Sequence, residues 1–136
     1  MPRMLGIDYG KAYIGLALSD ETQMIATPYG VLANEKFAAV AQKIKAIVAE
    51  FGIETAVIGL PISMDGSMGA LAQAVKQFAQ NLEKELGLEV ILQDERMSTN
   101  AVTRMMLEAD MSRQKRKEKK DSAAAAYILQ GWLDYR

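Results

Sequence analysis

Leu5 and Ile7, then Ile14, Leu16 and Leu18, recur at a period of two and predict two strands joined by a hairpin. Gly10 and Gly15 bracket the turn Tyr9-Gly10-Lys11-Ala12-Tyr13 and leave room there for backbone or ligand. Asp8 breaks the apolar pattern as the first strand leaves the sheet. A carboxylate is costly to bury there unless a partner neutralises it. Asp is also an ordinary turn residue, so this stretch alone leaves Asp8 open between a turn cap and a site.

The chain beyond the hairpin constrains the fold class. Residues 26–32 read as a third strand, and Pro28, which has no N–H to donate, favours a sheet edge. Asn34 is placed as an N-cap before a helix whose apolar face carries Phe37, Val40, Ala41, Ile44, Ile47, Val48 and Phe51, stopped by Gly52. Residues 56–60 form a continuous apolar run ended by Pro61, as in a strand covered on both faces. Leu71, Val75, Phe78, Leu82 and Leu86 mark a second helix ended by Gly87. Residues 89–93 form a fifth strand that delivers Asp94, Glu95 and Arg96. Ser98 or Thr99 caps a third helix to about Ala109. A last helix begins near Asp121 and turns Ala125, Ile128, Leu129, Trp132 and Leu133 inward. Three strands followed by alternating helices and strands predict an α/β fold, with a mixed sheet whose hairpin side is antiparallel and whose crossovers are parallel.

The 136 residues suffice for one domain, 1–136, with a proper core. The chain has neither cysteine nor histidine, which excludes disulfides, zinc–thiolate sites and the usual general base. Its chemistry must run on carboxylates, hydroxyls, lysine, arginine or backbone. No apolar run reaches membrane-spanning length and no signal peptide precedes the first strand, so the expected location is cytoplasmic, with no membrane partner.

A net charge of −1 hides one local excess. Arg113, Lys115, Arg116, Lys117, Lys119 and Lys120 are diluted only by Gln114 and Glu118. Such a density of like charge predicts a mobile segment over 112–120, either a solvated loop or a contact for a polyanion. The polyanion reading is favoured, because the remainder of the chain is then net acidic.

The acidic candidates are Asp8, Glu95 and Asp121. Parallel strands share one carboxyl-end rim, where ligands usually bind, so Asp8 and Glu95 fall on one edge. Ala125, Ile128 and Trp132 follow Asp121 on the same helical face, which turns Asp121 toward the sheet. Each residue has a plainer role: Asp121 as N-cap, Glu95 in an ion pair with Arg96 or Lys120. Three converging carboxylates are tolerated only around a cation, and an all-oxygen ligand set suits Mg²⁺ or Mn²⁺. Residues 61–67, with Asp65-Gly66 before the second helix, are either a phosphate-holding helix start or an ordinary turn capped by Ser67.

With these stretches in place, the chain resembles the YqgF (RuvX) family of the RNase H-like nuclease superfamily. The residues that carry the resemblance are Gly6-Ile7-Asp8-Tyr9-Gly10 with Ile14-Gly15-Leu16-Ala17, and Gly59-Leu60-Pro61 with Met64-Asp65-Gly66-Ser67. Asp94-Glu95-Arg96-Met97-Ser98-Thr99 and Lys120-Asp121-Ser122-Ala123-Ala124-Ala125, through Ile128-Leu129-Gln130, complete it in family order. The resemblance implies an RNase H-like fold, a five-stranded mixed sheet in the order 3-2-1-4-5 with helices on both faces. It implies a nuclease associated with 5′-end maturation of pre-16S ribosomal RNA and earlier with Holliday junction resolution. Asp8, Glu95 and Asp121 then take the catalytic, metal-holding positions for Mg²⁺ or Mn²⁺. Nucleic acid, precursor rRNA or branched DNA, is the expected partner, contacted by Lys11, Arg96 and the basic residues of 113–120, with the protein a monomer or weak homodimer. The family usually has Lys-Arg where this chain has Ala12-Tyr13, which moves the basic residue to Lys11. Two other readings remain: a sugar-kinase or actin-like ATPase, which needs a second lobe, and a non-catalytic nucleic-acid-binding module.

Overall fold

The structure, a computed structural model, describes residues 1–62, 66, 68–94 and 113–135, with the backbone alone for 113–120. Five strands form one sheet: β1 (Leu5–Tyr9), β2 (Tyr13–Ser19), β3 (Ala26–Ala33), β4 (Thr55–Leu60) and β5 (Glu89–Asp94). Their order is β3-β2-β1-β4-β5, as the family resemblance implies. β1–β2 and β2–β3 are antiparallel; β1–β4 and β4–β5 are parallel. Three helices complete the described chain: α1 (Phe37–Phe51), α2 (Ala70–Leu86) and α3 (Arg113–Tyr135). The helix expected from Ser98 or Thr99 to Ala109 lies outside the described residues.

The period-two pattern of the strands sorts residues into two cores. Leu5, Ile7, Ile14, Leu16 and Ile58 pack against Val40 and Ile44 of α1 and Val75, Phe78 and Leu82 of α2. Met4, Ala17 and Val57, from the opposite face, pack against Ala125, Ile128, Leu129 and Leu133 of α3. Trp132 is half-buried beside them. Gly52 and Gly87 end α1 and α2 with φ of 65° and 66°, the left-handed conformation that glycine adopts without strain.

β3 is an edge strand, as Pro28 requires. Its register slips between Leu16↔Gly30 and Ala17↔Pro28, so Tyr29 has no partner on β2; its ring meets that of Phe51 edge to face, with centroids 5.7 Å apart. The turn before it is built on Asp20. That carboxylate accepts hydrogen bonds from the Thr22 hydroxyl and from the backbone N–H of Ile25, Met24 and Thr22, which hold it well below the usual carboxylate range.

Three sequence expectations are corrected. α3 begins at Arg113, not near Asp121, so the basic stretch is helical and not a loop. Lys, Arg, Gln and Glu are all good helix formers, and the stretch extends a helix already seated on the sheet from Asp121 onward, so it needs no nucleus of its own. Asn34 is not an N-cap: α1 is preceded by Lys36 with no side-chain cap. Asn34 bonds instead to the β1–β2 turn, a competing use of the same short amide. Gly69, and not Ser67, stands at the N-cap of α2.

Candidate active site

The carboxyl ends of β1, β4 and β5 lie on one rim, since these strands are mutually parallel. Asp8 stands at this end of β1, and its partner across the hairpin is Gly15 of β2. Directly opposed residues share a face of the sheet. Leu5 and Ile7 enter the α1–α2 core, so Gly6 and Asp8 belong to the α3 face.

Gly15 fixes what reaches Asp8 from α3. A methyl group there would lie 1.9 Å from the Asp121 carbonyl oxygen and 3.0 Å from the Ser122 nitrogen. The helix backbone at Asp121 therefore rests directly on β2, beside Asp8. Gly6 admits the next two turns in the same way: a methyl group would lie 2.7 Å from the Ala125 oxygen and 2.8 Å from the Leu129 Cβ. Two glycines thus let α3 settle on the sheet and bring Asp121 to the level of Asp8. Both aspartates are half-buried, and Ser122 is buried. Asp121 stands about two turns inside α3, which removes the N-cap role for it.

Gln130 anchors the other end of α3. Its Oε1 accepts from the Ala26 N–H at 2.9 Å, and its Nε2 donates to the Met24 oxygen at 2.9 Å. The sequence reading placed Gln130 in a motif without assigning this role. An amide on the helix stripe beside the buried apolar residues was the available signal.

The β1–β2 turn is locked from outside. The Gly10 N–H donates to the Tyr13 oxygen at 2.9 Å, closing the hairpin over Lys11 and Ala12. Asn34 donates its backbone N–H to the Ala12 oxygen at 2.9 Å and its side-chain amide to the Gly10 oxygen at 2.7 Å. Lys11 is exposed on this fixed turn.

The remaining candidates divide into two sets. Glu95 and Arg96 lie outside the described residues; β5 is described to Asp94, which pairs with Leu60. Arg113, Lys115, Arg116, Lys117, Lys119 and Lys120 form the first turns of α3, immediately ahead of Asp121. Among the described residues no group of three or more acidic side chains gathers in one place, and Asp8 and Asp121 are the two predicted acids that the structure brings to one face. Among the described residues, too, no helix is long and apolar enough to cross a membrane.

A family model described as RuvX, Holliday junction resolvase, matches residues 2–135. A protein of Gluconacetobacter diazotrophicus named "Putative pre-16S rRNA nuclease" is 49% identical over 133 residues, which is 97% of this chain and 86% of the relative. A protein of the same name from Paramagnetospirillum magneticum is 48% identical over 134 residues, 98% of this chain and 86% of the relative. Among solved structures, Thermus thermophilus RuvC in complex with a Holliday junction superposes with a TM-score of 0.59. That match covers 96% of this chain and 93% of the other at 16% identity, a likeness of fold.

Proposed function

We propose that this chain, which belongs to the RuvX family, is a metal-dependent endonuclease that hydrolyses phosphodiester bonds in 5′-end maturation of precursor 16S rRNA. The observation that carries the reading is the seating of Asp121 on Gly15, beside Asp8 on the rim of an RNase H-like sheet. The relatives' name supplies the substrate.

Asp8 and Asp121, with Glu95 following the end of β5, are the residues that would hold Mg²⁺ or Mn²⁺. The fit rests on donor chemistry: a chain without histidine or cysteine offers oxygen ligands, which suit hard cations. Bound there, such an ion supplies Lewis acidity toward a phosphoryl oxygen and lowers the pKa of water. The chain's own contribution is position. The β1 ladder fixes Asp8, and α3, held at Gly6, Gly15 and Gln130, fixes Asp121. Lys11, Arg96 and the basic start of α3 neutralise the phosphates of the strand and keep the cut site over the carboxylates. No histidine is available to give a proton, so protonation of the leaving oxygen falls to solvent or to another acid such as a lysine. The protein works in the cytoplasm as a monomer or weak homodimer.

A second reading, resolution of four-way DNA, is favoured by the family description and by the RuvC fold. End-labelled precursor 16S rRNA and a four-way DNA junction, each incubated with Mg²⁺, Mn²⁺ or EDTA, separate the two. Specific cutting of the RNA at the mature 5′ end, abolished by EDTA, is the expected result. Cutting of the junction alone would replace the first reading with the second.

A further inference from the structure

Tyr13 is exposed where its neighbours on the sheet are small. It is 49% exposed, at the first position of β2. Its strand alternation with Gly15 places it on the α3 face, the face of Asp8 and Asp121. Asp8 pairs with Gly15, so Tyr13 stands diagonally from Asp8, about 7–8 Å away between backbones. Around it the sheet carries no bulk: Ala33 is its partner on β3, Gly15 follows on the same face, and Gly10 closes the hairpin opposite.

Other tyrosines of the sheet are used differently. Tyr9 packs on Phe78 with ring centroids 4.8 Å apart, and Tyr29 packs on Phe51 at 5.7 Å. Among the described residues Tyr13 makes no ring contact and no side-chain hydrogen bond. Its backbone is nevertheless rigid, because the Gly10 bond and the two Asn34 bonds fix the turn. A half-exposed ring on a rigid turn, with small residues beside it and a lysine on the same turn, has the form of a stacking platform for a flat apolar surface.

We propose that Tyr13 stacks on an unpaired nucleobase of the substrate, one or two nucleotides from the scissile phosphate, while Lys11 meets the adjoining phosphate. The inference rests on the nuclease reading of Asp8 and Asp121 and deepens it to a substrate feature: the strand must be unpaired beside the cut. Single-stranded RNA is bound largely through such base–aromatic stacking, which tolerates any base.

The test is an abasic scan. A fluorescent RNA spanning the 5′ boundary of precursor 16S rRNA is made intact and with one abasic residue stepped along it. Anisotropy then gives Kd for wild type, Tyr13→Phe and Tyr13→Ala, with circular dichroism melts confirming that both variants fold. Wild type and Tyr13→Phe should each lose about 5- to 100-fold in affinity at one or two adjacent abasic positions, and Tyr13→Ala should lose nothing further there. Tyr13→Ala should bind the intact RNA more weakly by the same factor. An abasic profile unchanged by Tyr13→Ala, or intact RNA bound by Tyr13→Ala as tightly as by wild type, overturns the inference. Binding is read in EDTA, where the nuclease reading expects no cleavage. The same RNA bound in this pattern but left uncut after Mg²⁺ or Mn²⁺ is added would count against the nuclease reading and leave the platform standing.

Discussion

The carbonyl oxygen of Asp121 occupies the space where a side chain at Gly15 would begin, 1.9 Å from the Cβ position. Gly15 is also the cross-strand partner of Asp8. One missing methyl group therefore sets the distance between two carboxylate-bearing elements. Gly15→Ala should cost about 1–3 kcal/mol in urea unfolding, because backbone and not a flexible side chain must give way. Cleavage should fall by more than the lost folded fraction explains, since the helix moves at Asp121. Gly30→Ala is the control: nothing lies within 4 Å of a methyl group there, and its effect should stay within about 0.5 kcal/mol. Equal behaviour of the two variants would show that α3 is not seated at Gly15.

Gln130 is the second fastener of α3. Gln130→Leu leaves the part-buried Ala26 N–H and the Met24 carbonyl without their partner and should destabilise the protein by about 1–3 kcal/mol. Gln130→Glu keeps an acceptor for Ala26 but turns an oxygen toward the Met24 carbonyl and the Asp134 carboxylate, to both of which Nε2 donates, so it too should melt below wild type. Thermal melts of the two variants beside wild type check both losses.

The Asp20 turn should respond to acid. Its carboxylate is held below the usual range by the Thr22 hydroxyl and three backbone donors, so the folded pKa lies under the unfolded one. The stabilisation is complete above the unfolded value of about 4 and is lost as pH falls from there toward the folded value. Amide chemical shifts of Met24 and Ile25 should stay constant from neutral pH to about 4 and move only below it. A transition centred near pH 4 or above would show that the turn does not hold the carboxylate in solution.

Much of the fold was legible because strands and helices announce themselves by period. Leu5, Ile7, Ile14, Leu16 and Leu18 lie in the hairpin, and Val75, Phe78 and Leu82 lie on the inner face of α2. Two local signals misled. Asn34 has the chemistry of an N-cap, but the same amide closed the β1–β2 turn, a non-local bond that spacing cannot reveal. The run from Arg113 to Lys120 was read for its charge, while its helix propensity decided its backbone. Of the candidate site, Asp8 stood out as a break in an apolar strand. The seat of Asp121 did not, because Gly15 announces a close approach without naming the distant element that arrives. Glu95 stays an expectation from sequence and family.

The basic start of α3 should set the salt dependence of binding. Replacing Lys115, Arg116 and Lys117 with Ala should weaken RNA binding and flatten the slope of log affinity against log salt by up to about one phosphate per charge removed. Alanine is the best helix former, so the helix should persist in circular dichroism. An unchanged slope would reduce this stretch to a solvated surface.

Single-turnover cleavage of precursor 16S rRNA in Mg²⁺, by wild type, Asp8→Asn and Asp121→Asn, tests the central claim most directly. Each substitution keeps size and removes one charge from the pair that Gly15 brings together. Wild type should cleave at the mature 5′ end, and both variants should lose at least about 100-fold in rate. Both variants should keep a single cooperative metal-free melt, so that the loss of rate is not a loss of fold. Either variant cutting at near wild-type rate would contradict the assignment of this pair as the catalytic centre.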